Sequence, residues 1–121
     1  MHYSQPTGQL SDDTGQLEGT GYAGNGAGWN NPAMQDVPDV GPLPVGEYTI
    51  GPAYRHPELG PLTMDLTPDP SNEMFGRSLF RMHGRRFVGD VGASKGCIVM
   101  DEPVRHAVAI GADRRLRVVR D

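Results

Sequence analysis

Chemistry in this chain converges on two side chains. Cys97, the single cysteine among 121 residues, follows Gly96 in the run Ala93-Ser94-Lys95-Gly96-Cys97-Ile98-Val99-Met100, and His83 stands upstream in Phe80-Arg81-Met82-His83-Gly84. A thiol of pKa about 8.5 is only a few per cent thiolate at neutral pH, so a nucleophilic cysteine needs an imidazole to take its proton and later protonate the leaving amine. Such assistance contributes roughly 10²–10⁴-fold. Gly96 allows a sharp turn that brings main-chain N–H groups toward the thiol, making the Gly96 and Cys97 amides candidate oxyanion donors within a turn that includes Ser94. Gly84 leaves room beside the imidazole for a substrate. The competing reading is a small, buried, chemically silent cysteine, and the residues alone leave both open.

The remaining histidines compete weakly. His2 lies near the chain end, His56 precedes Pro57 in what reads as a solvated loop, and His106 falls at the boundary of a helical stripe. No combination of His56, His83, His106 and Cys97 has a recognised metal-ligand spacing, so neither a metal nor a cofactor is expected. The base precedes the nucleophile, an order that argues against papain-like peptidases. A single cysteine also excludes an internal disulfide. The arginines after residue 76 are suited to holding a small anionic substrate.

These residues must be carried by short strands. Gly 17 and Pro 11 interrupt the chain nearly everywhere before Asp101, and the apolar share is only 36%, so a mainly β, loop-rich single domain over residues 1–121 is expected. Strands are read at His2–Gln5, near Gln9-Leu10, at Val45–Ile50, Leu62–Leu66, Ser78–His83, Cys97–Met100 and Leu116–Val119. Strand alternation puts Arg81 and His83 on one face and Phe80 and Met82 on the other, with Cys97 and Val99 sharing a side of their own strand. One helix is expected after Asp101-Glu102-Pro103, with Asp101 as cap, a Val104/Ala107/Val108 stripe and Gly111 as stop. The Gly19–Asn31 segment lacks the strand, helix and terminal Lys-Ser/Thr of a phosphate loop. Tyr22 and Trp29 make it an ordered loop rather than a linker. Asp36–Pro44 reads as extended surface chain.

Charge narrows the function. Net charge is −4, with no Lys or Arg in residues 1–54 and all 11 basic residues after them. The second part is nearly balanced by its own acids, so no concentrated basic face for nucleic acid is expected. No apolar run is long enough for membrane insertion and the first residues do not resemble a secretory signal. The expectation is a chain made in the cytoplasm that leaves, if at all, by another route.

The motif pair His83-Gly84 and Ser94-Lys95-Gly96-Cys97 resembles the active-site signature of L,D-transpeptidases. With Gly21-Tyr22-Ala23-Gly24, Asn30-Asn31-Pro32 and Gly41-Pro42-Leu43-Pro44-x-Gly46-x-Tyr48, the chain is similar to the L,D-transpeptidase-like effectors of bacterial type VI secretion systems. The resemblance implies a β-sandwich or sheet fold in which Cys97 attacks the meso-diaminopimelate carbonyl joined to the terminal D-alanine of peptidoglycan stem peptides. It further implies type VI secretion components and a cognate immunity protein as partners, and action in a target cell's periplasm. Three stretches depart from the pattern. Lys95 stands where transpeptidases usually have histidine, Ile98-Val99-Met100 replace a polar Arg or Asn, and Arg85-Arg86 replace an acid common in the effectors. Lys95 and Arg85, with Arg105 on the helix, are the candidate substrate-binding residues. The alternative is a non-catalytic peptidoglycan-binding or secretion-associated module on the same fold. Intracellular redox sensing by Cys97 is a third reading.

Overall fold

Alternating apolar residues build a single curled sheet, and the computed structural model describes it for residues 1–85 and 94–121. Arg86 and Ala93, which belong to the departures and motif above, lie outside the described residues. The strands are β1 (His2–Ser4), β2 (Gln9–Ser11), β3 (Leu17–Thr20), β4 (Tyr22–Ala23), β5 (Gly46–Ile50), β6 (Tyr54–His56), β7 (Gly60–Pro68), β8 (Phe80–His83), β9 (Ile98–Val99) and β10 (Arg115–Val119). One helix, α1 (Glu102–Ile110), follows β9. The strand order is β3-β2-β1-β10-β5-β7-β8-β9-β4, with β6 pairing β7 off this path. Only Gly21 separates β3 from β4, the two ends of that order, so the sheet curls until it nearly closes.

The mainly β expectation with a single helix holds. The core side is lined by Tyr3, Leu10, Tyr48, Met64, Leu66, Phe80, Met82, Ile98, Met100, Leu116 and Val118, all buried. The seven expected strands all appear: β1, β5, β8 and β9 are shortened by one or two residues, whereas β2 gains Ser11, β7 runs from Gly60 to Pro68 and β10 begins at Arg115. In the strand read at Leu62–Leu66, alternation puts Leu62, Met64 and Leu66 on one face. Met64 and Leu66 are buried, but Leu62 takes φ 54 and the regular alternation begins after it.

Two regions depart from expectation for the same reason. Gly41–Pro44 is buried rather than superficial, because side chains satisfy its carbonyls. Gln5 Nε2 donates to Leu43 O at 2.9 Å, Tyr48 Oη to Pro44 O at 2.6 Å, and Arg77 to Gly41 O and Pro42 O at 3.0 and 2.8 Å. In α1 the inward residues are Val104, Arg105, Val108 and Ala109, while Ala107 is exposed. Arg105 can turn inward because its Nε donates to Met100 O (3.0 Å) and its Nη1 to Pro61 O (2.8 Å). Asp101 occupies the cap position without a side-chain capping bond. At the other end Gly111 has φ −73, and Arg114 Nη1 takes up the carbonyls of Val108 (2.9 Å) and Gly111 (3.2 Å).

Candidate active site

Parallel pairing of β8 with β9 does what neither strand could do alone. The register sets Met82 opposite Ile98 and His83 opposite Val99. Residues opposite one another project to the same face, so the buried pair Met82/Ile98 points into the core and His83/Val99 to the other side. One step back, the register brings Arg81 beside Cys97. Cys97, Arg81 and His83 therefore share a face, with Cys97 and His83 diagonal neighbours about 8 Å apart at Cα by standard strand spacings. All three line a cleft of about 320 Å³, together with Leu79, Ser94 and Lys95.

The Ser94–Cys97 turn is organised by Ser94. Its Oγ accepts from Gly24 N (2.9 Å) and Gly96 N (3.2 Å) and donates to Cys97 O (2.8 Å). Ser94 N donates to Gly24 O, and Asn25 Nδ2 donates to Ser94 O at 2.7 Å. The glycine-rich segment is therefore an ordered brace for the Ser94–Cys97 turn, as Tyr22 and Trp29 suggested. Their rings stack with centroids 6.0 Å apart. Gly96 has φ +122, and a Cβ there would sit 2.6 Å from Arg77 Nη2 and 2.7 Å from the Phe80 ring, so only glycine fits.

Burial pushes the Cys97 thiol above its ordinary range, against the lowering influence of the Arg81 N–H, the Arg81 and Arg77 charges and its own N–H. Cys97 Sγ lies 3.9 Å from Leu79 O, a weak acceptor for the thiol proton. The upward shift favours the thiol over a preformed thiolate in the resting site. Any nucleophilic role then requires a base that removes the proton as attack proceeds.

His83, on the same cleft face, is the candidate for that base. It is buried, and its Nδ1 lies 2.7 Å from the carbonyl of Gly84. A carbonyl only accepts, so Nδ1 carries the proton and the basic lone pair belongs to Nε2. Gly84 is needed for a second reason. A Cβ there would lie 2.5 Å from Arg105 Nη2.

The other candidates separate. Lys95 is exposed and lines the cleft, whereas Arg85 is exposed and is not among the residues lining it. Arg105 is corrected: only 8% exposed, it spends its guanidinium on backbone carbonyls and lies outside the cleft lining. The Gly96 amide is likewise committed, to Ser94 Oγ, so Gly96 shapes the turn rather than offering a free oxyanion donor. The N–H groups of Arg81 and Cys97 itself lower the thiol pKa and so favour negative charge at the sulfur.

Two residues escaped the sequence reading. Arg77, 8% exposed, donates through Nη1 to Gln35 O (2.6 Å) and Pro42 O (2.8 Å) and through Nη2 to Gly41 O (3.0 Å) and Lys95 O (3.2 Å). It also lies over the Phe80 ring at 5.0 Å, tying the buried proline segment to the cysteine turn. No spacing in the sequence distinguishes it from a substrate-binding arginine. His56, expected in a solvated loop, ends β6 and lines the cleft. His106 is exposed on α1. Among the described residues no three His, Cys, Asp or Glu side chains gather as a metal site, and no helix is long and apolar enough to cross a membrane.

The site thus sets a cysteine and a histidine on one cleft face of a mainly β domain. The Tlde1 domain model matches residues 18–120, and the chain belongs to that family, named for type VI secretion effectors of the L,D-transpeptidase kind. No curated protein and no solved structure matches the chain.

Proposed function

We propose that this protein is an antibacterial cysteine enzyme acting on peptidoglycan as an L,D-carboxypeptidase, an L,D-transpeptidase that exchanges D-amino acids, or both. The observation that carries the reading is the β8/β9 register, which sets Cys97 and His83 on one cleft face with the imidazole anchored through Nδ1. Family membership supports a type VI effector.

In the proposed cycle His83 Nε2 takes the Cys97 proton as Sγ attacks the carbonyl carbon at the L-centre of meso-diaminopimelate. The Arg81 and Cys97 N–H groups and the Arg81 and Arg77 charges favour negative charge at the sulfur. The tetrahedral intermediate collapses, the C–N bond to D-alanine breaks, and the proton on His83 goes to the departing amine. A thioester remains on Cys97. Water or the amine of a free D-amino acid then attacks it, losing a proton to His83. The C–S bond breaks and the proton returns to sulfur. Lys95 and Arg85 stand as candidates for contacting the stem outside this step. The enzyme would act in the target cell's periplasm after delivery by type VI components, with an immunity protein protecting the producer.

Incubation with purified tetrapeptide muropeptides, followed by mass spectrometry, tests the reading. Wild type should yield tripeptides or products carrying an exchanged D-amino acid, and Cys97→Ala and His83→Ala should yield neither. Wild-type turnover by either variant would sink the assignment. The raised Cys97 pKa favours one second reading, a module that binds peptidoglycan without turning it over. That reading predicts retained muropeptide binding with no conversion by wild type.

A further inference from the structure

Arg105 and Arg77 are spent on backbone carbonyls, so of the basic candidates named above only Lys95 remains in the cleft wall for the charged ends of an amino acid. The loop joining β6 to β7 supplies two candidates, His56 and Glu58, both in the cleft wall.

The His56 ring is held in one tautomer. Its Nδ1 accepts from the N–H groups of Glu58 and Leu59, each at 3.1 Å. A nitrogen that accepts two N–H bonds carries the lone pair, so the neutral ring bears its proton on Nε2, the opposite edge. The ring is also braced. Tyr54 lies 6.2 Å away centroid to centroid, and Tyr54 Oη donates to Asp65 at 2.6 Å. Arg81 Nε reaches both Tyr54 Oη (3.2 Å) and Asp65 (3.1 Å). Asp65 stands opposite Arg81 in the β7/β8 ladder, and Arg81 is the neighbour of Cys97. A side-chain chain thus links His56 to the rung that holds the nucleophile.

Glu58 contributes the other sign. Its carboxylate makes no ion pair with any described residue, and it lines the same cleft two residues from the His56 donor. Lys95 and Asp39 also line it. A simple anion would be drawn to Lys95 and the His56 N–H but repelled by Glu58 and Asp39. A simple cation would be repelled by Lys95 and leave the His56 N–H unused. A ligand carrying both charges on one carbon satisfies the set.

We infer that His56 and Glu58 read an α-amino-acid zwitterion, His56 Nε2–H donating to its carboxylate and Glu58 accepting from its ammonium. The inference rests on the peptidoglycan reading, which offers two such zwitterions: the D-centre of meso-diaminopimelate in the donor stem, and a free D-amino acid acceptor.

His56→Asn separates recognition from folding. Asn Oδ1 can accept the two loop N–H groups in an Asx-type turn, while its shorter Nδ2 amide falls short of the position where the imidazole Nε2–H donates. Its melting temperature should match wild type, and Glu58→Gln provides a second, exposed probe. Each variant is titrated with tetrapeptide muropeptide and, separately, with a free D-amino acid at fixed muropeptide. Loss of one charge-assisted hydrogen bond should raise a half-saturating concentration about tenfold, more than it lowers kcat. A rise in the muropeptide titration identifies the stem's D-centre, and a rise in the amino-acid titration identifies the acceptor. If both variants leave both constants within about twofold of wild type, or lower only kcat, the inference is overturned while the enzyme assignment stands. If wild type converts no muropeptide at all, the enzyme assignment falls and this inference falls with it.

Discussion

The two flanks of the sheet are held together by different means. On one side β1, β10, β5 and β7 form the longer ladders. Arg115 to Val118 pairs with Gly46 to Thr49, and a mostly apolar interior lies beneath. On the other, β9 and β4 are only two residues long, and little ladder holds them. There the structure relies on side chains that reach backbone groups: Ser94, Asn25, Arg77 and Arg105. Burial holds both of these guanidinium groups below their ordinary pKa, as expected of charges largely withdrawn from water. The difference teaches that the candidate site is assembled by a few polar clamps rather than by sheet propagation. Its geometry should therefore be separable from the stability of the rest.

The largest effect expected on this contrast is that of Arg77→Ala. It strips four carbonyls of their donor and leaves Phe80 uncovered, where burial prevents water from replacing every bond. Unsatisfied buried groups cost about 1–3 kcal/mol each, so a loss of about 3 kcal/mol or more in denaturant unfolding is expected. A cost near zero would mean that the cysteine flank does not depend on its clamps. Ser94→Ala should come next. It breaks three hydrogen bonds around the turn, with a stability cost of about 1–2 kcal/mol. Muropeptide conversion should fall far more, on the order of 10²-fold, because small displacements of a nucleophile are costly. Equal losses of both kinds would erase the distinction between site geometry and global stability.

The sequence made one flank much more legible than the other. Val45–Ile50 and Leu116–Val119 alternate, and they appear as β5 and β10. The Pro103 start and Gly111 stop bracket α1 closely. The alternation of Arg81 and His83 against Phe80 and Met82 also carried the essential fact about the site, although only the parallel register turned it into a shared face with Cys97. What stayed hidden were bonds between distant residues. Arg77 meets Gln35 and Pro42, and Arg105 meets Pro61, through contacts that leave no local period. The Tyr54–His56 edge strand is three residues long and largely exposed, too short for alternation to declare it. His56 consequently read as loop.

Cys97 permits a smaller test of the same contrast. Its thiol pKa is raised in the fold by burial, so the unfolded chain releases the proton first as pH rises. Between the unfolded and folded values the native state binds more protons, and stability must fall with rising pH. Tyr3 and Tyr48 are raised by burial as well, but ordinary tyrosine ionises only near pH 10. Between about pH 8 and 9.5 the Met1 α-ammonium, raised against burial by its hydrogen bonds to Asp113 and Asp13, titrates alongside the thiol. The thiol's share of the unfolding free energy is therefore the difference between wild type and Cys97→Ser, in which the common α-ammonium cancels. Wild type should lose stability across that window and Cys97→Ser should lose less. Identical slopes would show that the sulfur is not held as a buried thiol.

The smallest effect belongs to the opposite flank. Arg117 Nε pairs with Glu47 Oε1 on the outer surface, and its side chain is 59% exposed. Solvent screens such a pair and ordering two long side chains costs entropy, so Arg117→Gln should change stability by less than about 1 kcal/mol. Muropeptide conversion should match wild type, since neither partner lines the Cys97 cleft. The β5/β10 ladder that joins their backbones does not need the charge. If Arg117→Gln instead destabilised the protein as much as Arg77→Ala, the ladder flank too would depend on side-chain clamps, and the proposed division between the two flanks would be wrong.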